Sequence, residues 1–523
     1  MTHPPADGET PISDPLAIGK ALCLAEAGEF DAAMGMLPPL LERNCRDVNI
    51  LHRAGVVYKI CGDLAQALSC FAEALRVLPH FHYTEFEIAT VHWQLGNFDE
   101  ARRWFAMAIA SCPSYLHSYV TAAKFERERG KTFAALDLLE RARSYDPHDP
   151  GLLEELARIQ LLHDNQALAI QYFEAAISTG RARDDCYVDY FSCLSRMGCY
   201  EKLLLCSEDL PQQKSASLVF QTNVLLGHAM LARASDRDSL LARLVTREAS
   251  AQWHTAGDVC EMLKQAIAER QPMSLLRLGD GEARFFAAHD PAVIEMIGPE
   301  KAAAIGNSIW MNWFGESLSA APPAALTELH NALRSSIETA DVIGLSTAKR
   351  LSSDHYHFGY LAYLDGYVTR ILEMRRNKVA DAFVNLELHR LTPFYHDLVS
   401  GLDFLGIISP HPDLAMRLGA RLGIADTVGY VIPGETRLPS QSGLTRGVGH
   451  FPGRYHELLC ELSVPYCGAV FLVAGGLLGK VYCHRIRSLG GIAIDIGSVA
   501  DAWMGYGSTR PGQYVDDSFW KLP

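Results

Sequence analysis

Two carboxylates stand two residues apart, directly after an apolar run in the second half of the chain. The run at 275–278 contains Arg277 and is followed by Gly-Asp-Gly-Glu at 279–282, where a helical pattern begins. An Asp-x-Glu pair offers oxygen ligands that suit a divalent cation carrying phosphate groups. We therefore predict that Asp280 and Glu282 bind Mn²⁺ or Mg²⁺, and that the chemistry occurs at this turn.

A second turn, at residues 473–480, combines three glycines with a lysine. It leads from an apolar strand into a helix, so backbone N–H groups can approach a phosphate at the helix N-terminus while Lys480 adds positive charge. Ala474 stands where a Walker A sequence requires its first glycine, and the G-x-G-x-x-G spacing is missing. Neither NTP hydrolysis nor NAD binding is indicated.

Both turns belong to a region in which short apolar runs alternate with helical patterns. The sequence after Trp253 predicts strands at residues 274–278, 341–345, 404–408, 427–432, 469–474 and 492–496. Helical segments lie between most of them, which is typical of a doubly wound, Rossmann-like α/β domain. Ligands of such domains bind beyond the carboxyl ends of the strands, where both turns are expected.

The first half of the chain repeats with a period of 34 residues. Glycine recurs at Gly28, Gly62, Gly96, Gly130 and Gly198, with Asp164 in the one gap. An alanine follows five residues after each of the first five turns, and Leu or Phe follows nine after. Tight turns, small residues and a filling aromatic describe two antiparallel helices per unit. The pattern resembles the tetratricopeptide repeat (TPR) and predicts an all-α solenoid of about six units.

The resemblance to such repeats implies a concave groove that binds an extended peptide or a protein. Candidate groove residues are His52, Tyr58, His82, Tyr83, His92, Tyr119 and Lys124. The predicted domain plan is a flexible tail at residues 1–13, the repeats at 14–212, a linker of one or two helices at 213–255, and the α/β domain at 256–523.

Three segments of the α/β region together resemble GT-D-type glycosyltransferases. They are 277–282 near the start of the domain, and 475–480 and 493–497 near its end, and the resemblance covers about residues 256 to 510. The family associates its Asp-x-Glu element with a metal ion and a nucleotide sugar. The donor contacts predicted here are Arg277, Gly279, Asp280, Gly281, Glu282, Gly475, Gly476, Gly479 and Lys480.

Glycosyl transfer with inversion needs a carboxylate base near the acceptor hydroxyl. Asp495 lies near the end of the last predicted strand, Asp501 follows that strand, and Glu435 follows an earlier one. These three are the predicted catalytic residues. Some relatives place a His after the glycine that corresponds to Gly497, where this chain has Ser498. Inverting and retaining mechanisms both stay open at this point.

Composition limits the classes of function. The formal net charge of −14 argues against a nucleic-acid partner. The 13 scattered cysteines, without a C-x-x-C pair, favour a reducing cytosol. Residues 1–11 lack the features of a signal peptide, and the uncharged run at 463–479 holds too many glycines for a membrane helix. We expect a cytoplasmic protein without a transmembrane segment.

Three hypotheses follow from the whole sequence. The first is a glycosyltransferase that moves a sugar from a nucleotide sugar to a protein acceptor recruited by the repeats, for example a bacterial surface or flagellar protein. The second is transfer to a cell-surface polysaccharide or a lipid-linked precursor. The third is a non-enzymatic scaffold whose α/β domain senses a nucleotide.

Overall fold

The computed structural model describes residues 14–208, 210, 215–372, 378–434, 449–506 and 517–522. The chain divides into two compact units, Met1–Tyr190 and Phe191–Pro523. The predicted tail and the predicted base Glu435 lie outside the described residues.

Antiparallel helix pairs build the first unit, and the chain continues helical beyond its end. The helices are α1 (Asp14–Glu26), α2 (Phe30–Gly35), α3 (Leu37–Arg43), α4 (Val48–Ile60), α5 (Leu64–Val77), α6 (His82–Gln94), α7 (Phe98–Ser111), α8 (Leu116–Glu128), α9 (Thr132–Arg143), α10 (Pro150–Leu162), α11 (Gln166–Ser178), α12 (Asp184–Arg196) and α13 (Tyr200–Glu208). The all-α repeat prediction is confirmed.

The period of the sequence corresponds to a period of burial. The alanines five residues after the turns are completely buried, at Ala33, Ala67, Ala101, Ala135 and Ala169. A Cβ added at Gly55 would overlap the ring of Phe71, so only glycine leaves room for that aromatic. Asp164 replaces a turn glycine and adopts φ 56°, which an Asp side chain tolerates better than most.

The linker, predicted to hold one or two helices, contains α14 (Ala216–Ala234) and α15 (Arg237–Glu248). Both belong to the second unit, in which α14 packs on two helices of the α/β region. These are α19 (Pro299–Phe314) and α22 (Phe358–Leu372).

A parallel sheet of seven strands forms the second unit within the described residues. The strands are β1 (Met273–Arg277), β2 (Val342–Leu345), β3 (Lys378–Asp381), β4 (Phe404–Ser409), β5 (Asp426–Val431), β6 (Val470–Val473) and β7 (Ile492–Asp495), in the order β3-β2-β1-β7-β6-β4-β5. The other helices are α16 (Ala256–Ala268), α17 (Asp280–His289), α18 (Pro291–Ile297), α20 (Pro323–Thr339), α21 (Ala348–Ser353), α23 (Val384–Leu391), α24 (His396–Val399), α25 (Leu414–Leu422), α26 (Tyr455–Glu461), α27 (Gly476–Ser488), α28 (Val499–Trp503) and α29 (Asp517–Trp520).

Apolar cores cover both faces of the sheet, because alternate strand residues point to opposite sides. Leu276 and Ile343 belong to one core, and their neighbours Leu275 and Val342 belong to the other. The prediction of a doubly wound α/β domain is confirmed, and its six predicted strands are all present. The seventh, β3, is not predicted, because only its two central residues are apolar.

The sheet order brings the first and last strands together. β1 pairs with β7, and the chain runs outward from β1 through β2 to β3 before it crosses to the other half. Such a reversal leaves a crevice at the carboxyl ends of the strands, where ligands bind in folds of this kind. Among the described residues, no helix is both long enough and apolar enough to cross a bilayer.

Candidate active site

A buried lysine joins the two predicted turns. Lys480 lies one turn into α27, and its Nζ is 2.9 Å from Asp495 Oδ2 and 3.0 Å from Glu282 Oε1. The three residues are only 1–7% exposed. Burial lowers the pKa of Lys480, but the charges of Asp495 and Glu282 more than reverse this effect, so the pKa is raised. The lysine is therefore charged at neutral pH.

The acidic turn places its two carboxylates in different surroundings. Glu282 Oε2 accepts the backbone N–H of Gly279 at 2.9 Å and so caps α17. Since its other oxygen meets Lys480, both oxygens of Glu282 already contact protein groups. The Asp280 side chain is 32% exposed, and its Oδ2 lies 3.5 Å from Arg284 Nη2.

Arg277 lies at the end of β1 and connects three strand ends. Its backbone N–H donates to Asp495 Oδ2 at 3.3 Å, and its Nη1 donates to Asn385 Oδ1 at 2.5 Å. Asn385 in turn donates to the carbonyl of Ile496 at 2.6 Å. Gly497 has φ 50°, and a Cβ there would overlap Arg277 Nη2. The guanidinium is held by these contacts in one place.

The glycine-rich turn brings backbone close to backbone at the start of α27. A Cβ at Gly475 would lie 2.9 Å from the Cα of Gly479. Gly476, the first residue of the helix, has φ 53°, a conformation that glycine adopts without strain. The N-terminus of a helix of 13 residues thus faces the crevice, and such an end attracts anions.

These elements surround a cavity of about 380 Å³ at the carboxyl ends of the strands. It is lined by predicted donor residues, namely Arg277, Gly279, Asp280, Gly281, Glu282, Gly475, Gly476 and Lys480. Trp313 and Phe314 also line it, whereas Trp310 of the same helix is completely buried. A volume of this size can hold a substantial part of a small organic ligand.

The predicted catalytic carboxylates fall in three different places. Asp495 is 1% exposed and engaged by Lys480, and it does not line the cavity. Asp501 does line the cavity, and its Oδ1 lies 2.9 Å from His411 Nε2. Glu435 is outside the described residues. Of the two carboxylates that the structure describes, Asp501 is thus the one at the wall of the cavity.

Sequence reasoning missed His357 and its partner Asp354 at this site. His357 lines the cavity, and Asp354 lies 2.9 Å from its Nδ1. Arg350 also lines the cavity and stacks on Phe383 at 4.6 Å. The run from Asp354 to His357 lies just before α22, and its density of Asp and His was the available signal.

Of the two carboxylates predicted to bind a metal ion, only one is suitably placed. In the part of the chain that the structure describes, no three His, Cys, Asp or Glu side chains converge to hold an ion by themselves. Asp280 is accessible and fits an ion shared with a diphosphate, since Mg²⁺ sites commonly use one or two carboxylates plus substrate phosphates. Glu282 does not fit in this arrangement, because its oxygens contact Lys480 and Gly279.

The first unit carries an aromatic cluster that includes three predicted groove residues, His52, His82 and Tyr83. The rings of His82 and Tyr83 are 4.0 Å apart, and Tyr83 is 5.1 Å from Tyr115. Tyr83 is 43% exposed, so the cluster can be reached by a partner. Tyr119, also predicted for the groove, is only 2% exposed and belongs to the core.

Comparisons with known proteins agree with this division. Residues 254–433 match the model of the GT-D fold-like domain, and residues 62–115 and 121–185 match the tetratricopeptide repeat. Human tetratricopeptide repeat protein 7B is 28% identical over 127 residues, which are 24% of this chain and 15% of that protein. The chain therefore spans a small part of that relative's length.

Two solved structures resemble the repeats. TTC0263, a TPR protein of Thermus thermophilus, is 18% identical with a TM-score of 0.31, covering 35% of this chain and 99% of that one. PilW, a type IV pilus biogenesis factor, is 16% identical with a TM-score of 0.33, covering 39% and 97%. TM-scores this low carry no argument beyond the two family matches. The chain joins tetratricopeptide repeats to a GT-D-like domain.

Proposed function

We propose that the second unit transfers a sugar from a nucleotide sugar and that the repeats recruit a protein acceptor. The observation that carries the proposal is the cavity at the ends of β1, β6 and β7, where Asp280, Lys480 and the N-terminus of α27 meet. The GT-D-like match supports glycosyl transfer, and the repeat match supports protein binding.

The charged side chains at the floor of the cavity and directly beneath it balance one another. Lys480 and Arg277 lie against Glu282 and Asp495, so two positive and two negative side chains compensate one another. Lys480 therefore acts mainly by holding the two turns in place. We assign the donor diphosphate to the backbone N–H groups at the start of α27 and to the Arg277 and Arg350 guanidinium groups, since these residues line the cavity.

Asp280 is the residue that we assign to a divalent cation. Such an ion, when bound with the donor, offsets negative charge on the departing diphosphate. Asp280 suits this role because its carboxylate is accessible at the N-terminus of α17. We propose that Glu282 instead orients Lys480 and caps α17.

Asp501 is the proposed proton acceptor. In an inverting transfer its carboxylate takes the proton of the acceptor hydroxyl while the oxygen bonds to the sugar carbon, and the nucleoside diphosphate leaves with the electron pair. His411 Nε2 hydrogen-bonds to the Asp501 carboxylate, and the His411 ring stacks on Tyr506 at a centroid distance of 5.3 Å. This arrangement keeps Asp501 at the wall of the cavity.

A thermal-shift screen tests the donor. Full-length protein is melted with UDP-, GDP-, CMP- and dTDP-sugars, each with and without Mn²⁺, because a ligand that binds only the folded state raises the melting temperature. We expect one nucleotide class to stabilise the protein. If none does, the proposal of a nucleotide-sugar transferase is wrong.

A transfer assay then distinguishes the acceptor classes. The donor identified by the screen is supplied with a radioactive sugar, and protein, lipid and polysaccharide fractions of the source cells are counted separately. Label in a protein band, lost in the variant Asp501→Asn, supports the proposal. Label confined to lipid or polysaccharide would support the second hypothesis instead.

A further inference from the structure

The pair Asp354–His357 is oriented toward the cavity. The Asp354 oxygens lie 2.9 and 3.0 Å from His357 Nδ1, and Asp354 Oδ1 also accepts the backbone N–H of His357 at 3.1 Å. A carboxylate only accepts hydrogen bonds, so Nδ1 carries the proton. In the neutral ring, the lone pair is then on Nε2, which faces away from Asp354.

His357 Nε2 faces the carboxylate of Asp280, the more exposed of the two carboxylates in the acidic turn. It lies 3.8 Å from Asp280 Oδ2, and the two side chains are 29% and 32% exposed. Both residues line the cavity. An ion bound by Asp280 on this side is therefore within reach of a nitrogen ligand whose ring orientation is already fixed.

Glu282 offers a poorer ligand although it is nearer in sequence. Its oxygens lie 2.9 Å from the N–H of Gly279 and 3.0 Å from Lys480 Nζ. A divalent ion at Glu282 would lie beside a buried ammonium group, and Coulomb repulsion between like charges is strong where water is excluded.

We propose that the divalent cation of the donor complex is held by Asp280 and His357, with Asp354 as the positioning residue for the imidazole. The inference rests on the proposed function. A ligating histidine usually donates its other ring N–H to a carboxylate, which fixes the tautomer and makes the ligating nitrogen more basic. Here Asp354 is the carboxylate partner of His357, and Asp280 is the second ligand. Asp280 lies far from the other two in sequence, so no short motif reveals the set.

Two consequences follow from the composition of the site. An imidazole ligand favours Mn²⁺ over Mg²⁺ and Ca²⁺, which prefer oxygen. Arg284 Nη2 lies 3.5 Å from Asp280 Oδ2, so its charge weakens binding of the ion to the protein alone. The diphosphate, which brings negative charge and further oxygen ligands, should therefore tighten binding of the ion.

Electron spin echo spectroscopy of bound Mn²⁺ tests the proposal directly. A directly coordinated imidazole gives a ¹⁴N coupling that oxygen ligands do not give. The full-length protein is examined with Mn²⁺ alone and with Mn²⁺ plus UDP or GDP, and the affinity for Mn²⁺ and Mg²⁺ is measured by titration. We expect a ¹⁴N coupling in the wild type.

Variants identify the ligand. His357→Asn should abolish the coupling and weaken Mn²⁺ binding about 10- to 100-fold, while Mg²⁺ binding changes less. Asp354→Asn should keep a weaker coupling and lose about tenfold in Mn²⁺ affinity. His396→Asn is the matched control, since His396 is a histidine of the same unit with a 62% exposed side chain, and it should change neither quantity.

The variant Glu282→Gln tests the alternative in which Glu282, and not His357, binds the ion together with Asp280. We expect the ¹⁴N coupling to remain, with folding checked by circular dichroism. A wild-type Mn²⁺ signal without ¹⁴N coupling, or loss of Mn²⁺ in Glu282→Gln together with its retention in His357→Asn, would overturn the inference. If Glu282→Gln does not fold, the wild-type and His357→Asn spectra still decide. Nucleotide-sugar binding without the coupling refutes this inference alone, whereas a negative donor screen refutes the proposed function.

Discussion

The Nζ atom of Lys480 lies 2.9 Å from Asp495 Oδ2, although the two residues come from different elements, α27 and β7. Glu282, at the far end of the domain's sequence, completes the contact at 3.0 Å. A buried charge of this kind is stabilised only while its partners are present. The stability of the second unit and the geometry of its cavity therefore depend on the same three side chains.

Replacement of Lys480 by Met should destabilise the second unit by about 3–5 kcal/mol, because it leaves two buried carboxylates without their cation. The measurement is urea unfolding followed by tryptophan fluorescence, since Trp310 and Trp503 are completely buried in this unit and become exposed to water when it unfolds. Lys264→Met is the control, because the Lys264 side chain on α16 is 40% exposed and its Nζ lies 2.8 Å from Glu261 Oε1.

The triple variant Lys480→Met, Glu282→Gln, Asp495→Asn should recover part of this loss, because it removes the unpaired charges together. If Lys480→Met is as stable as Lys264→Met, the buried network does not stabilise the fold.

Gly497→Ala should weaken binding of the donor about tenfold, because the new methyl group displaces the Arg277 guanidinium and places Ala in a left-handed conformation that costs roughly 1–2 kcal/mol. Gly366→Ala is the control for a glycine-to-alanine change away from the cavity, and its expected effect on stability has the opposite sign. Gly366 lies within α22, and a Cβ there meets nothing within 4 Å, so Ala should stabilise the protein by about 0.5–1 kcal/mol. Donor affinity is read from the ligand concentration dependence of the melting temperature. Equal affinities for the two variants would contradict the role of Arg277.

Asp501→Asn should lower kcat about 10²- to 10⁴-fold and leave donor affinity unchanged, because it removes the proton acceptor but keeps the size of the side chain. Asp495→Asn should instead lower stability, since Asp495 contacts Lys480 and is buried. The two effects are separated by steady-state kinetics and by unfolding. An Asp501→Asn enzyme with wild-type kcat would exclude Asp501 as the base.

Three buried histidines should make the second unit sensitive to acid. Burial lowers the pKa of His228 to about 3, of His389 to about 4 and of His450 to about 3. The contacts favour neutral rings: Gly359 N–H donates to His228 Nε2 at 3.0 Å, and Trp503 Nε1–H donates to His389 Nδ1 at 3.0 Å.

The sign of the effect follows from proton binding. An unfolded histidine has a pKa of about 6.5, so below this pH the unfolded chain binds protons that the folded protein does not. Stability is therefore complete above pH ~6.5 and is lost as the pH falls toward the folded values, by up to about 1.4 kcal/mol per pH unit for each histidine.

Urea unfolding between about pH 7.5 and about pH 5 measures this slope. His389→Gln should reduce the slope, although it also lowers stability at neutral pH because Trp503 loses its acceptor. The exposed residue His396, changed to Gln, should leave the slope unchanged. A slope that is the same in wild type and His389→Gln would show that His389 is not kept neutral by folding.

The sequence by itself determined the features that depend on local periodicity. A small residue every 34 positions marks where paired helices touch, so Ala67 and Ala101 could be predicted as buried without knowing their neighbours. The alternation of apolar runs and helices likewise determined the α/β class and six of its strands. The same periodicity could not reveal β3, whose four residues include two polar ones.

The tertiary structure decided which side chains meet. Asn385 and Arg277 are 108 positions apart, and His411 and Asp501 are 90 apart, and no spacing rule links them. Their meeting depends on the strand order. Only β2 separates β1, which ends at Arg277, from β3, which precedes Asn385, and only β6 separates β4, which precedes His411, from β7, which precedes Asp501. Residue types indicated an acidic turn and a lysine, but only packing showed that Glu282 contacts that lysine while Asp280 faces the cavity. The physical reason is that the periodicity of apolar residues along the chain determines which residues are buried. Which charged side chains pair depends on the order of the strands in the sheet.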